Sequence, residues 1–206
     1  MPDWISNLFP TTLMRRSLDG MAETNDQLKT LIAGMAQREA NHIEGKSTEG
    51  GYQSAEDFFD RDHPAMAVLK THIELAVREY STFFIHQECY KPPRQVGIYI
   101  WGWAVLLKAG DGQAIHVHPH AHISGVYYVT VPQSALDTTD GGKISFYDPR
   151  PRANMNQLAF QITRHREVPA AGDILLFPSW LEHSVYPFNG AGERICISFN
   201  ASLGLE

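Results

Sequence analysis

Val96-Gly97-Ile98-Tyr99-Ile100-Trp101-Gly102-Trp103-Ala104-Val105-Leu106-Leu107-Lys108 is the stretch at which this chain changes character. Upstream of it, apolar residues recur at helical spacing. From it onward, segments are short, β-branched and aromatic, and turn residues punctuate them, which is the pattern of consecutive strands. The reading predicts strands over residues 97–108, 114–118, 125–131, 143–147, 166–168, 173–177, 184–187 and 194–201. Breaks fall at Gly110-Asp111-Gly112, Asp140-Gly141-Gly142, Ala171-Gly172 and Asn189-Gly190. Short strands with regular breaks predict a jelly roll.

Two helices are expected before it. Asn25 is of a type that caps a helix start, and Leu28, Leu31, Ile32 and Met35 then keep i, i+3, i+4, i+7 spacing, a helix fading near His42. Gly45 to Ser54 is rich in Gly, Ser and Thr and reads as loop. Pro64 suits a first helical turn, and Leu69, Ile73, Ala76, Tyr80 and Phe84 repeat on one face before Pro92 and Pro93 end the region. The expected organisation is a single domain over residues 1–206. In it, 1–92 form a largely helical N-terminal support and 93–206 a β core.

Hydrophobic content of 43% against 19% charged residues reads as globular and soluble. A formal charge of −6 with no basic stripe argues against a nucleic-acid partner. No apolar run is long enough for a membrane, and no signal segment opens the chain. The two cysteines, Cys89 and Cys196, read as reduced thiols, so a cytoplasmic location is expected. Oligomeric state is open, a homodimer being one option.

Four of the ten histidines, His116, His118, His120 and His122, alternate with Val117, Pro119 and Ala121. Alternate residues of a strand point to one face, so two imidazoles at i and i+2 can grip one metal ion. Pro119 cannot donate a ladder hydrogen bond and marks where the strand leaves the sheet. His116 and His118 are then expected on the strand, facing the interior, and His120 and His122 on a loop at its mouth. Gly172-Asp173-Ile174-Leu175-Leu176-Phe177-Pro178 reads as a turn, an apolar strand and a stop, after which His183 offers a third imidazole near the rim. A solvated polar strand face is the bland alternative; the density of histidines outweighs it. Imidazole suits Zn, Fe, Cu and Ni alike, while the lack of clustered thiols argues against a structural zinc site.

An ordered series of motifs then acquires a family likeness. It runs His116-Val117-His118-Pro119, Ser124-Gly125-Val126-Tyr127-Tyr128-Val129, Asp148-Pro149-Arg150, Gly172 to Pro178 with Ser179-Trp180-Leu181 and His183, and Arg194 with Ser198-Phe199-Asn200. From about Trp101 to Asn200 it resembles the 2-oxoglutarate/Fe(II)-dependent oxygenases of the prolyl-hydroxylase-like superfamily. Gly50-Gly51-Tyr52-Gln53-Ser54 is similar but less diagnostic. The resemblance implies a double-stranded β-helix (jelly roll, cupin-like) with Fe(II) near one open end. It also implies oxidative decarboxylation of the cosubstrate 2-oxoglutarate, coupled to hydroxylation of a small-molecule or peptide substrate by O2.

Carried over residue by residue, the implied metal ligands are His116, His118 and His183. The superfamily pattern has a carboxylate where His118 stands. Asp111, in a turn, and Glu182, pointing away from His183 on an extended segment, are the nearby carboxylates. The resemblance assigns the cosubstrate's distal carboxylate to Arg194 and Tyr128, with Ser198 as a further hydroxyl on the Arg194 strand face. A planar guanidinium pairs a carboxylate bidentately, which gives that role its physical sense. His120, His122 and Trp180 are candidates for outer metal-shell or substrate contacts, and no residue beyond the ligands is required as a general base.

Two rival readings share these residues. Gly110, His116 and His118, followed by Gly172, Pro178 and His183, also fit much of a cupin pattern, for a dioxygenase or isomerase that does not use 2-oxoglutarate. A non-catalytic jelly-roll binding module carrying a metal is the other. Arg194 discriminates: only a cosubstrate enzyme needs it buried, inward-facing and close to the metal.

Overall fold

The computed structural model describes residues 8–88, 96–152, 155 and 162–205; Cys89, Pro92 and Pro93 lie outside them. The described strands are β1 (Met14–Ser17), β2 (Thr48–Glu49), β3 (Tyr52–Gln53), β4 (Val96–Leu107), β5 (Gly112–His116), β6 (Ile123–Thr130), β7 (Ile144–Tyr147), β8 (Arg164–Glu167), β9 (Asp173–Pro178), β10 (His183–Val185) and β11 (Arg194–Leu205). The helices are α1 (Ala22–Arg38), α2 (Pro64–Glu88) and the short α3 (Gln133–Leu136).

The strands form two antiparallel sheets. The larger runs β1-β9-β6-β11-β4-β3 and the smaller β2-β5-β10-β7-β8. This is the double-stranded β-helix that the punctuated strands predict, a sandwich and not a closed barrel. The N-terminal part is less purely helical than expected, since β1 and β3 extend the large sheet and β2 edges the small one.

Strand parity sorts the large sheet's side chains into two layers. Ala104 and Leu106 of β4, Tyr127 of β6, Ile174 and Leu176 of β9, and Ile195, Ile197 and Phe199 of β11 pack against the helices. Their alternates Trp103, Val105, Leu107, Tyr128, Leu175, Phe177 and Cys196 fill the space between the sheets. A sheet covered on both faces reads as a continuous apolar run, which is why 174–177 carries no polar alternation.

The helices close the first layer through Leu28, Ile32 and Met35 of α1 and Leu69, Ile73, Ala76, Tyr80 and Phe84 of α2, all buried. Asn25 does not cap α1. Met21 holds the cap position, and Asn25, one turn in, accepts a hydrogen bond from the Tyr127 hydroxyl at 2.5 Å. The helix ends at Arg38, short of His42, where Glu39 turns to extended backbone.

Candidate metal centre and oxo-acid pocket

β5 and β10 pair antiparallel with His116 directly opposite His183. Cross-strand partners on one face lie close enough to share a ligand, and their rings stand 4.2 Å apart. His118 departs from the expectation. β5 ends at His116, and His118 lies two residues beyond, in irregular backbone whose N–H donates to the Ser179 carbonyl at 2.9 Å. The chain thus leaves the sheet before Pro119, yet the ring still swings back: His118 Nε2 is 3.3 Å from His183 Nε2. One nitrogen from each of the three histidines lies within 4.8 Å of the others. Among the described residues this is the one convergent cluster of metal-ligating side chains.

The rings are oriented from behind. His116 Nδ1 donates to the Ala114 carbonyl at 2.7 Å and His183 Nδ1 to the Leu181 carbonyl at 2.8 Å. With Nδ1 protonated, Nε2 carries the lone pair and faces the shared point. Phe177 meets the His183 ring edge-on at 4.8 Å, and Trp103 lies 5.7 Å from His118. Burial among these rings pulls all three imidazoles below their ordinary range, His118 to about 3, helped there by the neighbouring His116 and Lys46 charges. Neutral imidazoles with free lone pairs are the form a metal ion takes up.

No carboxylate joins the cluster among the described residues. Asp111 is spent on its own turn, accepting the Lys108 N–H at 2.8 Å. Glu182 is exposed beside the buried His183, pointing away as the extended backbone requires. The donor set of three imidazoles suits Fe(II), as it suits Zn, Cu and Ni.

Arg194, Ser198 and Val126 line the same narrow interior cavity as His116, His118 and His183. Arg194 opens β11 and is 1% exposed. Its Nε donates to the Gly142 carbonyl at 2.9 Å, its Nη1 to Cys196 Sγ at 3.2 Å, and its guanidinium rests 5.1 Å from the centre of the Tyr128 ring. No carboxylate of a described residue comes within ion-pair range of it. The Tyr128 hydroxyl is fully buried with no hydrogen-bond partner, and burial holds its pKa above the ordinary phenol value. Tyr127, on the opposite face, packs against the helices. A buried cation beside an orphaned hydroxyl is a cradle for an anion.

On the solvent side of His116 and His118 lies an open groove of ≈ 380 Å³, walled by Lys46, Glu56, Trp101, Trp103, His120 and Asn200 among others. His120 therefore stands at the mouth, as the position of Pro119 implied. His122 is otherwise engaged: its Nδ1 accepts the Leu203 N–H at 3.1 Å. Trp180 is 43% exposed and lines neither the cavity nor the groove. Asp148 and Arg150 close a turn through paired hydrogen bonds of 2.9 and 2.6 Å. Sequence reasoning missed Lys46, Glu56 and Gly142. Lys46 falls in the segment read as loop, Glu56 just beyond it, and Gly142 in a break whose carbonyl carries no sequence signal.

Residues 102–200 match the family model described as "Putative 2OG-Fe(II) oxygenase". Comparison with curated proteins finds no match. Among solved structures, the chain is similar to a prolyl-4-hydroxylase of Pseudomonas putida, with TM-score 0.61 at 15% identity over 93% of this chain and 92% of that one. A Trichoplax adhaerens prolyl hydroxylase in complex with a hypoxia inducible factor peptide fragment gives TM-score 0.62 at 14% identity, covering 93% and 83%. HygX of Streptomyces hygroscopicus, with nickel and 2-oxoglutarate bound, gives 0.58 at 13% identity over the same shares. At such identities these likenesses speak for the fold; the matched segment speaks for the family. Residues 102–200, which match the 2OG-Fe(II) oxygenase family model, hold all three histidines, Tyr128 and Arg194.

Proposed function

We propose that this protein is an Fe(II)- and 2-oxoglutarate-dependent dioxygenase. In this reading His116, His118 and His183 hold the iron, and Arg194, Tyr128 and Ser198 receive the distal carboxylate of the oxo-acid. The observation that carries the reading is Arg194: a fully buried guanidinium without an anionic partner among the described residues, lining the cavity that the three imidazoles line. An unpaired buried charge costs several kcal/mol, and a dianionic ligand removes that cost. A cupin without an oxo-acid, or a passive binding module, has no use for such an arginine.

Bound iron supplies a chelating position for the 2-oxo acid and for O2, and with them the oxidative decarboxylation that is coupled to substrate hydroxylation. The chain's own residues do the rest. The Ala114 and Leu181 carbonyls keep His116 and His183 in the ligating tautomer. Trp103 and Phe177 screen the centre from water. The groove at His118 and His120 receives the substrate, and its ≈ 380 Å³ suits a small molecule or one residue of a peptide. A free, buried thiol at Cys196 accords with a reducing cytoplasm.

The test is anaerobic addition of Fe(II) and 2-oxoglutarate, watched for a visible metal-to-ligand charge-transfer band, followed by aeration and assay of succinate. The reading expects both. Absence of both overturns it.

A further inference from the structure

We propose that Lys143 is a positioning residue for the oxo-acid: by tying down the loop before β7, it fixes the Gly142 carbonyl that orients Arg194. The proposal rests on the oxygenase reading and extends it to a residue outside the pocket.

Lys143 ends the loop between α3 and β7 and is 8% exposed. Its ammonium has no carboxylate of a described residue in ion-pair range. Instead Nζ donates to the carbonyls of Leu136 at 3.4 Å, Thr139 at 3.4 Å and Thr138. A buried ammonium is tolerated when its donors are satisfied, and here the carbonyl of the last α3 residue and two carbonyls of the loop after it turn to a single point to do so. The Thr138 hydroxyl adds a hydrogen bond to the Gly141 carbonyl at 3.1 Å. The loop is closed around its own lysine.

Gly142, next to Lys143, is anchored through its N–H and presents its carbonyl on the side of Lys143. Gly142 donates its N–H to the Tyr186 carbonyl at 2.8 Å and accepts Arg194 Nε at 2.9 Å. Its φ of +70° favours glycine, and a Cβ there would stand 2.4 Å from the Ala135 Cβ, on the helix the loop leaves. Gly142 thus reaches from the small sheet's loop to the first residue of β11 in the large sheet.

Holding Nε from behind decides what the guanidinium offers in front. With Nε on Gly142 and Nη1 on Cys196, two of the three guanidinium nitrogens are held by the protein before any ligand arrives. A planar fork binds a carboxylate well only when its plane is set beforehand. Releasing Lys143 frees the Gly142 carbonyl to drift, and the fork loses its alignment while keeping its charge and burial.

The test compares two acids on the anaerobic Fe(II) protein: 2-oxoglutarate, and 2-oxobutyrate, which keeps the chelating end and lacks the distal carboxylate. For Lys143→Met the expectation is a Kd for 2-oxoglutarate weaker by about tenfold, the size of one misaligned charge-assisted hydrogen bond. The Kd for 2-oxobutyrate and the iron content should be unchanged. Lys143→Gln, whose amide keeps part of the carbonyl bonding, should fall between, and it carries the test if the methionine variant does not fold. Equal weakening of both acids, or no weakening of 2-oxoglutarate, overturns the positioning role. A wild-type protein that binds neither acid overturns the oxygenase reading itself, a result distinct from either.

Discussion

Three neutral imidazoles leave a divalent ion its full charge, where a site with one carboxylate would leave a single positive charge. His118, standing where the family pattern has the carboxylate, therefore makes this centre more attractive to a dianion. In the proposed reading the metal would be held by imidazole donors alone, so each ligand would count. His183 is the most buried of the three, and its Nδ1 is already committed to the Leu181 carbonyl. Replacing it removes a ligand that no described residue can supply. His183→Ala should reduce iron content after reconstitution and desalting to background, measured by metal analysis, while circular dichroism remains that of the wild type. Stoichiometric iron in that variant would take His183 out of the ligand set. His118→Asp restores the carboxylate and should keep the iron, because its side chain starts from backbone anchored by the Ser179 carbonyl.

At the scale of elements, α1 is the piece whose energetics are most separable from the chemistry. It presents Leu28, Ile32 and Met35 to the outer face of the large sheet, away from the cavity between the sheets. Truncating Ile32 leaves a void in a layer without solvent, at a cost of about 2–5 kcal/mol. Ile32→Ala should lower the urea midpoint accordingly and leave the iron content of the folded protein unchanged. A variant that loses iron in proportion to stability would mean the two layers do not act separately. The helix itself was legible from its spacing, and so was α2 from Pro64 onward. The helix start was not, because Asn25 is a good cap by type but is claimed by Tyr127, a residue remote in sequence. The long strands β4 and β11 were legible because a run of apolar and β-branched residues between turns admits little else. β1 was not, because Met14–Ser17 alternates half-buried with exposed residues and takes its strand form from pairing with β9. The end of β5 was missed by two residues, since Pro119 marks only the last point at which a strand can stop. His118 keeps its place in the cluster through a hydrogen bond to Ser179, a contact that strand parity cannot foresee.

The whole molecule divides the site between its two sheets. His116 and His183 belong to the small sheet, with His118 just past its edge, whereas Arg194, Tyr128 and Ser198 belong to the large one. A chain of net charge −6 has thus placed a buried guanidinium and a buried ammonium, Arg194 and Lys143, around this seam without a carboxylate from a described residue beside either. In the proposed reading an oxo-acid chelated at one end and clamped at the other would span the seam and replace the missing anion. Metal alone would then engage only the small-sheet side. It follows that the two ligands should stabilise in sequence. Metal raises Tm, and 2-oxoglutarate raises it further only when metal is present. At about a hundred times its Kd a ligand adds about 2.7 kcal/mol, which for a domain of this size is about 5–10 °C. Arg194→Ala should retain the metal increment and lose most of the second one, as read by differential scanning fluorimetry with Zn or Ni in place of oxidisable iron. If the oxo-acid increment survives Arg194→Ala, or appears without metal, the acid does not bridge the sheets and the division of the site proposed here is wrong.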